Sequence, residues 1–314
     1  MKQVVLLIIF GLLFMSLVVG MDAHPAGMQT YTLVHQGRTR TYHVHLPPGH
    51  SRNKPVPLVI ALHGGGGRGD NMDRSTKGQI NREADQRSWV VVFPQGIENG
   101  WNDGRKIYTP KDRRRSEVDD VGFIAKLIHR LHTDFNIDRK RVYATGISNG
   151  GFMSLRLAVE LSDRIAAVGA VTASLGKVLE NKIPKQPVGV LFMNGTEDPL
   201  VPYEGGQVTL LGMKRGEILS TEASVHWWVK HMDCSSSPKK SSLPNIVKFD
   251  RTRTEVERYI DCRGKVQVIL YRVVGGGHTW PGGKQYLPQK VIGRVSRDFQ
   301  GVRKIFDFFS QHQR

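Results

Sequence analysis

The sequence predicts one α/β domain, a mostly parallel central sheet with helices on both faces and an antiparallel hairpin at its start. Three observations carry this. Continuous apolar runs of strand length recur along the chain, as strands buried on both faces require. Stretches with apolar residues at helical spacing separate those runs. One serine, in ATGISNGGF (144–152), stands between glycines at the junction of a strand-like and a helix-like segment.

The elements follow in order. Residues 29–35 (QTYTLVH) and 40–46 (RTYHVHL) are rich in β-branched and aromatic side chains and flank Gly37-Arg38-Thr39, the pattern of a hairpin. His43 and His45 fall on one face of its second strand; with no third ligand nearby they read as surface histidines rather than a metal pair. VPLVIALH (56–63) is a buried strand running into four glycines, and WVVVFP (89–94), RVYATG (141–146), IAAVGAVTA (165–173), VGVLFMNG (188–195) and VQVILYRV (266–273) are further buried strands. Helices are expected at 79–88, 121–135, 151–162 and 221–232, with a closing helix at 296–312. Residues 97–117 and 233–253 carry no clear element and read as long loops, the kind that form walls or lids. No repeat or linker divides residues 24–314.

Ahead of this domain, Met1-Lys2-Gln3 precedes sixteen uncharged residues (VVLLIIFGLLFMSLVV) and Gly20. A basic start, an apolar run and a small residue make a secretory signal peptide over 1–20, with Ala23 as a second cleavage point. An uncleaved anchor is the competing reading of that run. Export implies a secreted or periplasmic protein with no stable membrane association once the segment is removed. In that compartment the two cysteines, Cys234 and Cys262, are expected to form one disulfide. It would close a loop worth about 3–4 kcal/mol on the chain-entropy model.

The formal net charge is +17. The basic residues are scattered apart from a run over 105–115, and no helix-turn-helix, RNP or zinc-finger pattern accompanies them, so a nucleic-acid partner is not expected. A solvated basic face, useful against anionic envelope polymers, fits better.

Ser148 lies in Gly146-Ile147-Ser148-Asn149-Gly150 between RVYATG and the helix after it. There a nucleophile elbow projects the serine hydroxyl above the sheet, and flanking glycines let strand and helix pass closely. A hydroxyl needs an imidazole to take its proton and a carboxylate to hold that imidazole. Both should arrive later in the chain, on loops after strands. Asp198 follows VGVLFMNG and His278 follows VQVILYRV, with Glu197 the nearest competitor for the acid. His226 and His231 fall on a helix surface. Donors for the negative oxygen of a tetrahedral intermediate are the backbone N–H of Asn149 and that of Gly64 or Gly65, between which the sequence does not choose. The sequon Asn194-Gly195-Thr196 falls beside the proposed acid and reads as a chance match.

LHGGGG (62–67), GISNGGFMS (146–154), NGTEDPLVPY (194–203) and GGGHTWPGG (275–283) together resemble the polyhydroxybutyrate depolymerase/feruloyl esterase-like family of secreted α/β-hydrolases, over essentially all of 29–312. The resemblance implies an α/β-hydrolase fold and hydrolysis of small or oligomeric carboxylic esters. It implies no cofactor or metal, with Ser148 as nucleophile, Asp198 as orienting acid and His278 as general base. It further sets Trp101 and Trp280 as substrate-binding walls, and Asp120 as an anchor of loops near the site. No linker and binding module of the kind carried by the longest polymer depolymerases is seen, so soluble esters or short oligomers are the expected substrates. A serine peptidase on the same scaffold and a non-catalytic binder of wall polymers are the alternatives.

Overall fold

The computed structural model describes residues 28–105, 117–210 and 212–314. The expected signal peptide with both cleavage points, and all of the basic run but Arg105, lie outside the described residues.

The strands are β1 (Met28–His35), β2 (Arg38–His45), β3 (Val56–Leu62), β4 (Val90–Pro94), β5 (Ile137–Ile147), β6 (Ala167–Val171), β7 (Gly189–Gly195), β8 (Gly206–Leu210), β9 (Met213–Ile218), β10 (Lys239–Ser242), β11 (Arg253–Tyr259) and β12 (Val268–Val274). The main helices are α1 (Gln79–Arg87), α2 (Asp120–Phe135), α3 (Asn149–Glu160), α4 (Thr221–His231) and α5 (Gly301–Phe309). One sheet has the order β1-β2-β4-β3-β5-β6-β7-β12-β11-β10, and β8 with β9 forms a separate hairpin. From β4 through β12 neighbouring strands of the large sheet run parallel, while β1, β2, β11 and β10 pair antiparallel at the two margins. This is the α/β-hydrolase fold with its N-terminal hairpin.

Strand alternation divides the core. Leu58, Ile60 and Leu62 of β3 face a cluster that includes Phe123 and Leu127 of α2, Leu155 of α3 and Trp228 of α4. Val59 and Ala61 face the other side, with Ile80 and Ala84 of α1 and Ile305, Phe306 and Phe309 of α5. Both faces of the central strands are therefore covered, which is why they read as unbroken apolar runs rather than alternating ones. Each such side chain contributes roughly 1.5–3 kcal/mol by leaving water.

Three expectations change. The region 233–253, read as a loop, contains edge strand β10 and leads into β11. The closing helix begins at Gly301 rather than near 296, because 296–301 is tied across the molecule. There Gly282 N–H donates to Ser296 O, Arg297 N–H to Asp250 Oδ2 and Gly301 N–H to Pro281 O. His43 and His45 are not surface residues. They are 7% and 6% exposed, His43 Nδ1 sits 2.9 Å from Thr30 Oγ1, and His45 Nε2 sits 2.6 Å from Asp85 Oδ1. Burial follows because β2 is an inner strand, paired to β4 as well as β1. The Cys234–Cys262 disulfide is present and joins the chain just after α4 to the segment after β11.

Candidate active site

Ser148 caps the N-terminus of α3 immediately after β5 with φ 55° and ψ −122°. A side chain with a Cβ is strained there, and the surroundings hold it. Ser148 N–H donates to Val171 O at 2.9 Å and lies 3.2 Å from Thr172 Oγ1, while Ser148 O accepts from Phe152 N–H at 2.8 Å. The glycines two residues away are required by backbone contact. A Cβ on Gly146 would lie 2.5 Å from the Gly150 carbonyl carbon, and one on Gly150 would lie 2.1 Å from Leu62 O.

Asp198 and His278 come from the loops after β7 and β12, which are adjacent parallel strands. The strand pairing brings together residues 80 apart: His278 Nδ1 donates to Asp198 Oδ2 at 2.8 Å, with both side chains almost fully buried. Asp198 Oδ1 accepts from the N–H groups of Leu200 and Val201 at 2.8 and 2.9 Å, which fixes the carboxylate plane. The competitor Glu197 turns away, its side chain 60% exposed and paired with Arg294. Tyr286 O–H donates to His278 O at 3.0 Å; burial, then the Asp198 charge, pushes its phenol up, so it stays a donor.

A cavity of about 590 Å³ is lined by Ser148, Asn149, His278, Gly64 and Gly65, so the expected nucleophile, base and oxyanion donors open onto one space. Gly66 N–H is taken by Asn99 O and Gly67 N–H by Gly64 O, which leaves Gly64 and Gly65 as the donors this loop offers. The loop is braced by His63, whose Nδ1 donates to Gly64 O while Nε2 accepts from Gly96 N–H. Apolar wall comes from Met72, Ile147, Leu200, Val201, Val208, Leu210 and Leu287.

Neither Trp101 nor Trp280 lines this cavity, which corrects their expected role. Trp101 is fully buried beneath the glycine loop, donating from Nε1 to His63 O at 2.9 Å. Trp280, 1% exposed, packs in the core on the α1 and α5 side of the sheet. The motif around Trp101 acts instead on Asn149. The side-chain Oδ1 of Asn149 accepts from Trp101 N–H at 2.7 Å, and Nδ2 donates to Trp101 O at 3.0 Å and Asp103 Oδ2 at 2.6 Å. Asp120 anchors the same loop as expected, accepting from Asn102 N–H at 2.7 Å and from Arg40 at 2.6 Å. Asn194 of the sequon is 4% exposed, its Nδ2 donating to Ala173 O and Thr221 Oγ1, so it presents no amide to a glycan.

Residues 35–244 match the family described as "Putative esterase". The chain belongs to this esterase family. A relative at 30% identity over 279 residues, 87% of this chain and 79% of its own, is "Putative esterase NocK" of Nocardia uniformis subsp. tsuyamanensis. Feruloyl esterase B of Piromyces equi is 28% identical over 251 residues, 77% of this esterase but only 43% of that longer protein. Among solved structures, acetyl xylan esterase from Aspergillus awamori aligns over 90% of this chain and 99% of its own with TM-score 0.58 at 13% identity, a likeness of fold. The esterase is thus a carboxylic ester hydrolase by family.

Several residues of the cavity had gone unread. Arg105, Arg215, Glu98 and Tyr286 line it together with Val208 and Leu210 of the β8–β9 hairpin. A local signal existed only for Arg105, in the turn Asp103-Gly104-Arg105, where Gly104 has φ +83° and folds the guanidinium back onto the carboxylate.

Proposed function

We propose that this esterase is an exported serine hydrolase acting on small carboxylic esters through Ser148, His278 and Asp198. What supports the reading most is the Asp198–His278 bond at a cavity onto which a strained Ser148 also opens. Asp198 holds the imidazole with Nδ1–H inward and Nε2 unprotonated. Nε2 takes the Ser148 proton as Oγ attacks the ester carbonyl, and the N–H groups of Asn149 and of Gly64 or Gly65 receive the developing oxyanion. The tetrahedral intermediate collapses, His278 gives the proton to the departing alcohol, and an acyl group remains on Ser148. Water then adds by the same route, returning the carboxylic acid and free serine.

The cavity volume lies in the range of small-molecule sites. Its apolar wall suits short acyl or aromatic acid groups, and feruloyl esters and hydroxyalkanoate oligomers are the classes to compare. The apolar run at 4–19 behind a basic start and the Cys234–Cys262 disulfide support export. Ser148→Ala should lower turnover of p-nitrophenyl acetate by at least about three orders of magnitude and abolish labelling by a fluorophosphonate probe. Full activity in that variant would refute the assignment. Rates on methyl ferulate, short p-nitrophenyl esters and hydroxybutyrate trimer would then rank the substrates.

A further inference from the structure

The geometry points to Arg105 as a substrate-anchoring residue that selects esters carrying a second, ionised carboxylate within a few atoms of the scissile carbonyl, resting for its place beside the reacting serine on the function proposed above. Arg105 lines the cavity although its side chain is only 7% exposed. A guanidinium so deeply placed needs a reason. Its Nε lies 3.1 and 3.0 Å from the two Asp103 carboxylate oxygens, and Nη2 donates to Asp103 Oδ2 at 2.7 Å. The guanidinium carbon also lies 3.9 Å from the centre of the Phe152 ring. One edge of the group and one face are thereby fixed. The remaining nitrogen, Nη1, has no hydrogen-bond partner among the described residues, whereas Asp103 is itself fully buried behind the pair. A guanidinium on the wall of a cavity offers a carboxylate oxygen a charge-assisted bond.

Position and charge agree with this ligand. Phe152 lies one helical turn beyond Ser148 on α3, and Arg105 and Ser148 line one cavity of about 590 Å³. A ligand of small-molecule size therefore reaches both the serine and the guanidinium. Arg215 of the hairpin supplies a second guanidinium to the lining, against one carboxylate, Glu98. Asp103 offsets the charge of Arg105 but does not occupy its free edge. At long range the formal charge of +17 draws anions towards the protein. Arg105 is also pre-organised, because Asp103 and Phe152 hold it before any ligand arrives, so little side-chain freedom is lost on binding.

The test separates binding from chemistry. Calorimetry on the Ser148→Ala protein compares monomethyl glutarate with methyl valerate, esters of equal chain length that differ in the terminal carboxylate. We expect the charged ester to bind at least about 10-fold more tightly, the size of effect one charge-assisted hydrogen bond supplies. Raising ionic strength from about 0.02 M to about 0.5 M should shrink the difference, and Arg105→Gln on the same background should remove it. With active protein, kcat/KM should favour p-nitrophenyl hemiglutarate over p-nitrophenyl valerate through KM. Equal or weaker binding of the charged ester overturns the proposal, as does a preference that survives Arg105→Gln. If Arg105→Gln does not fold, Arg215→Gln and the salt dependence decide: a preference insensitive to both counts against it. Tight binding of the charged ester without turnover of either ester would leave the anchor standing and refute the Ser148 chemistry instead.

Discussion

At the scale of single residues, Asn149 joins two parts of the site. It lines the cavity beside Ser148, and its side chain is bonded to Trp101 and Asp103 of the loop after β4. Asp103 in turn is held by Arg105, and Trp101 reaches across to His63 at the root of the glycine loop. One continuous set of bonds thus fixes both suppliers of the proposed oxyanion donors. Asp103→Asn loses the acceptor for Asn149 Nδ2 and the charge facing Arg105. Its kcat should fall about 10-fold with KM for a neutral ester nearly unchanged, a smaller loss than deleting an oxyanion donor outright. Steady-state kinetics on p-nitrophenyl butyrate give that split, which a purely structural role would not produce. The proposed serine, acid and base could be picked out of the sequence because each follows a buried strand. The role of Asn149's side chain was not, since its partners lie 46 and 48 residues away.

At the scale of elements, buried strands and amphipathic helices were readable and the marginal strands were not. β10 is Lys-Lys-Ser-Ser, exposed throughout, and carries no apolar alternation. It exists because β11 offers a ladder. Among its described residues the β8–β9 hairpin buries only Val208, Gly216 and Ile218, and it is docked by the Gly176–Ile218 bridge and Leu219 N–H to Leu175 O. Such strands are specified by neighbours rather than by their own pattern. The end of α4 is held otherwise, by Cys234–Cys262 and by Arg263 N–H to Met232 O. Cys234→Ser with Cys262→Ser should cost about 3 kcal/mol, a fall in Tm of roughly 5–10 °C, with kcat little affected. Thermal unfolding of the variant, and of the native protein under reductant, checks this.

At the scale of the whole molecule, the two cores are closed at the C-terminus by α5 and the turn after it. His312 lies there, 4% exposed, its ring centre 4.2 Å from that of Phe308 at a tilt of 47°, with Nδ1–H donating to Phe308 O at 2.7 Å. Its main-chain carbonyl accepts from Tyr143 O–H of β5 at 2.8 Å. Burial lowers the imidazole pKa, and the bond to Phe308 O offsets that only in part. His50 shifts the same way, through burial and then the Arg52 charge. Below about pH 6.5 the unfolded chain therefore binds protons that the folded one refuses, and stability rises with pH in that window. The contribution is complete above about pH 6.5 and is lost as pH falls towards the depressed folded value. Melting temperature should drop between about pH 7 and pH 5, and His312→Leu should flatten that slope in part. A slope unchanged in His312→Leu would show that other groups govern it.

The sequence by itself determined the α/β-hydrolase frame, the elbow at Ser148 and the disulfide partners. Each rests on short-range facts: strand-length apolar runs, glycines where backbones cross, loops that follow buried strands, and a single pair of cysteines. Only the tertiary structure decided that Glu197 turns outward and Asp198 inward, that Trp101 and Trp280 support rather than line the cavity, and that Arg105 opens onto it. Those outcomes depend on which side chains meet across strands distant in the chain, and a periodicity of two or of 3.6 carries no record of such meetings.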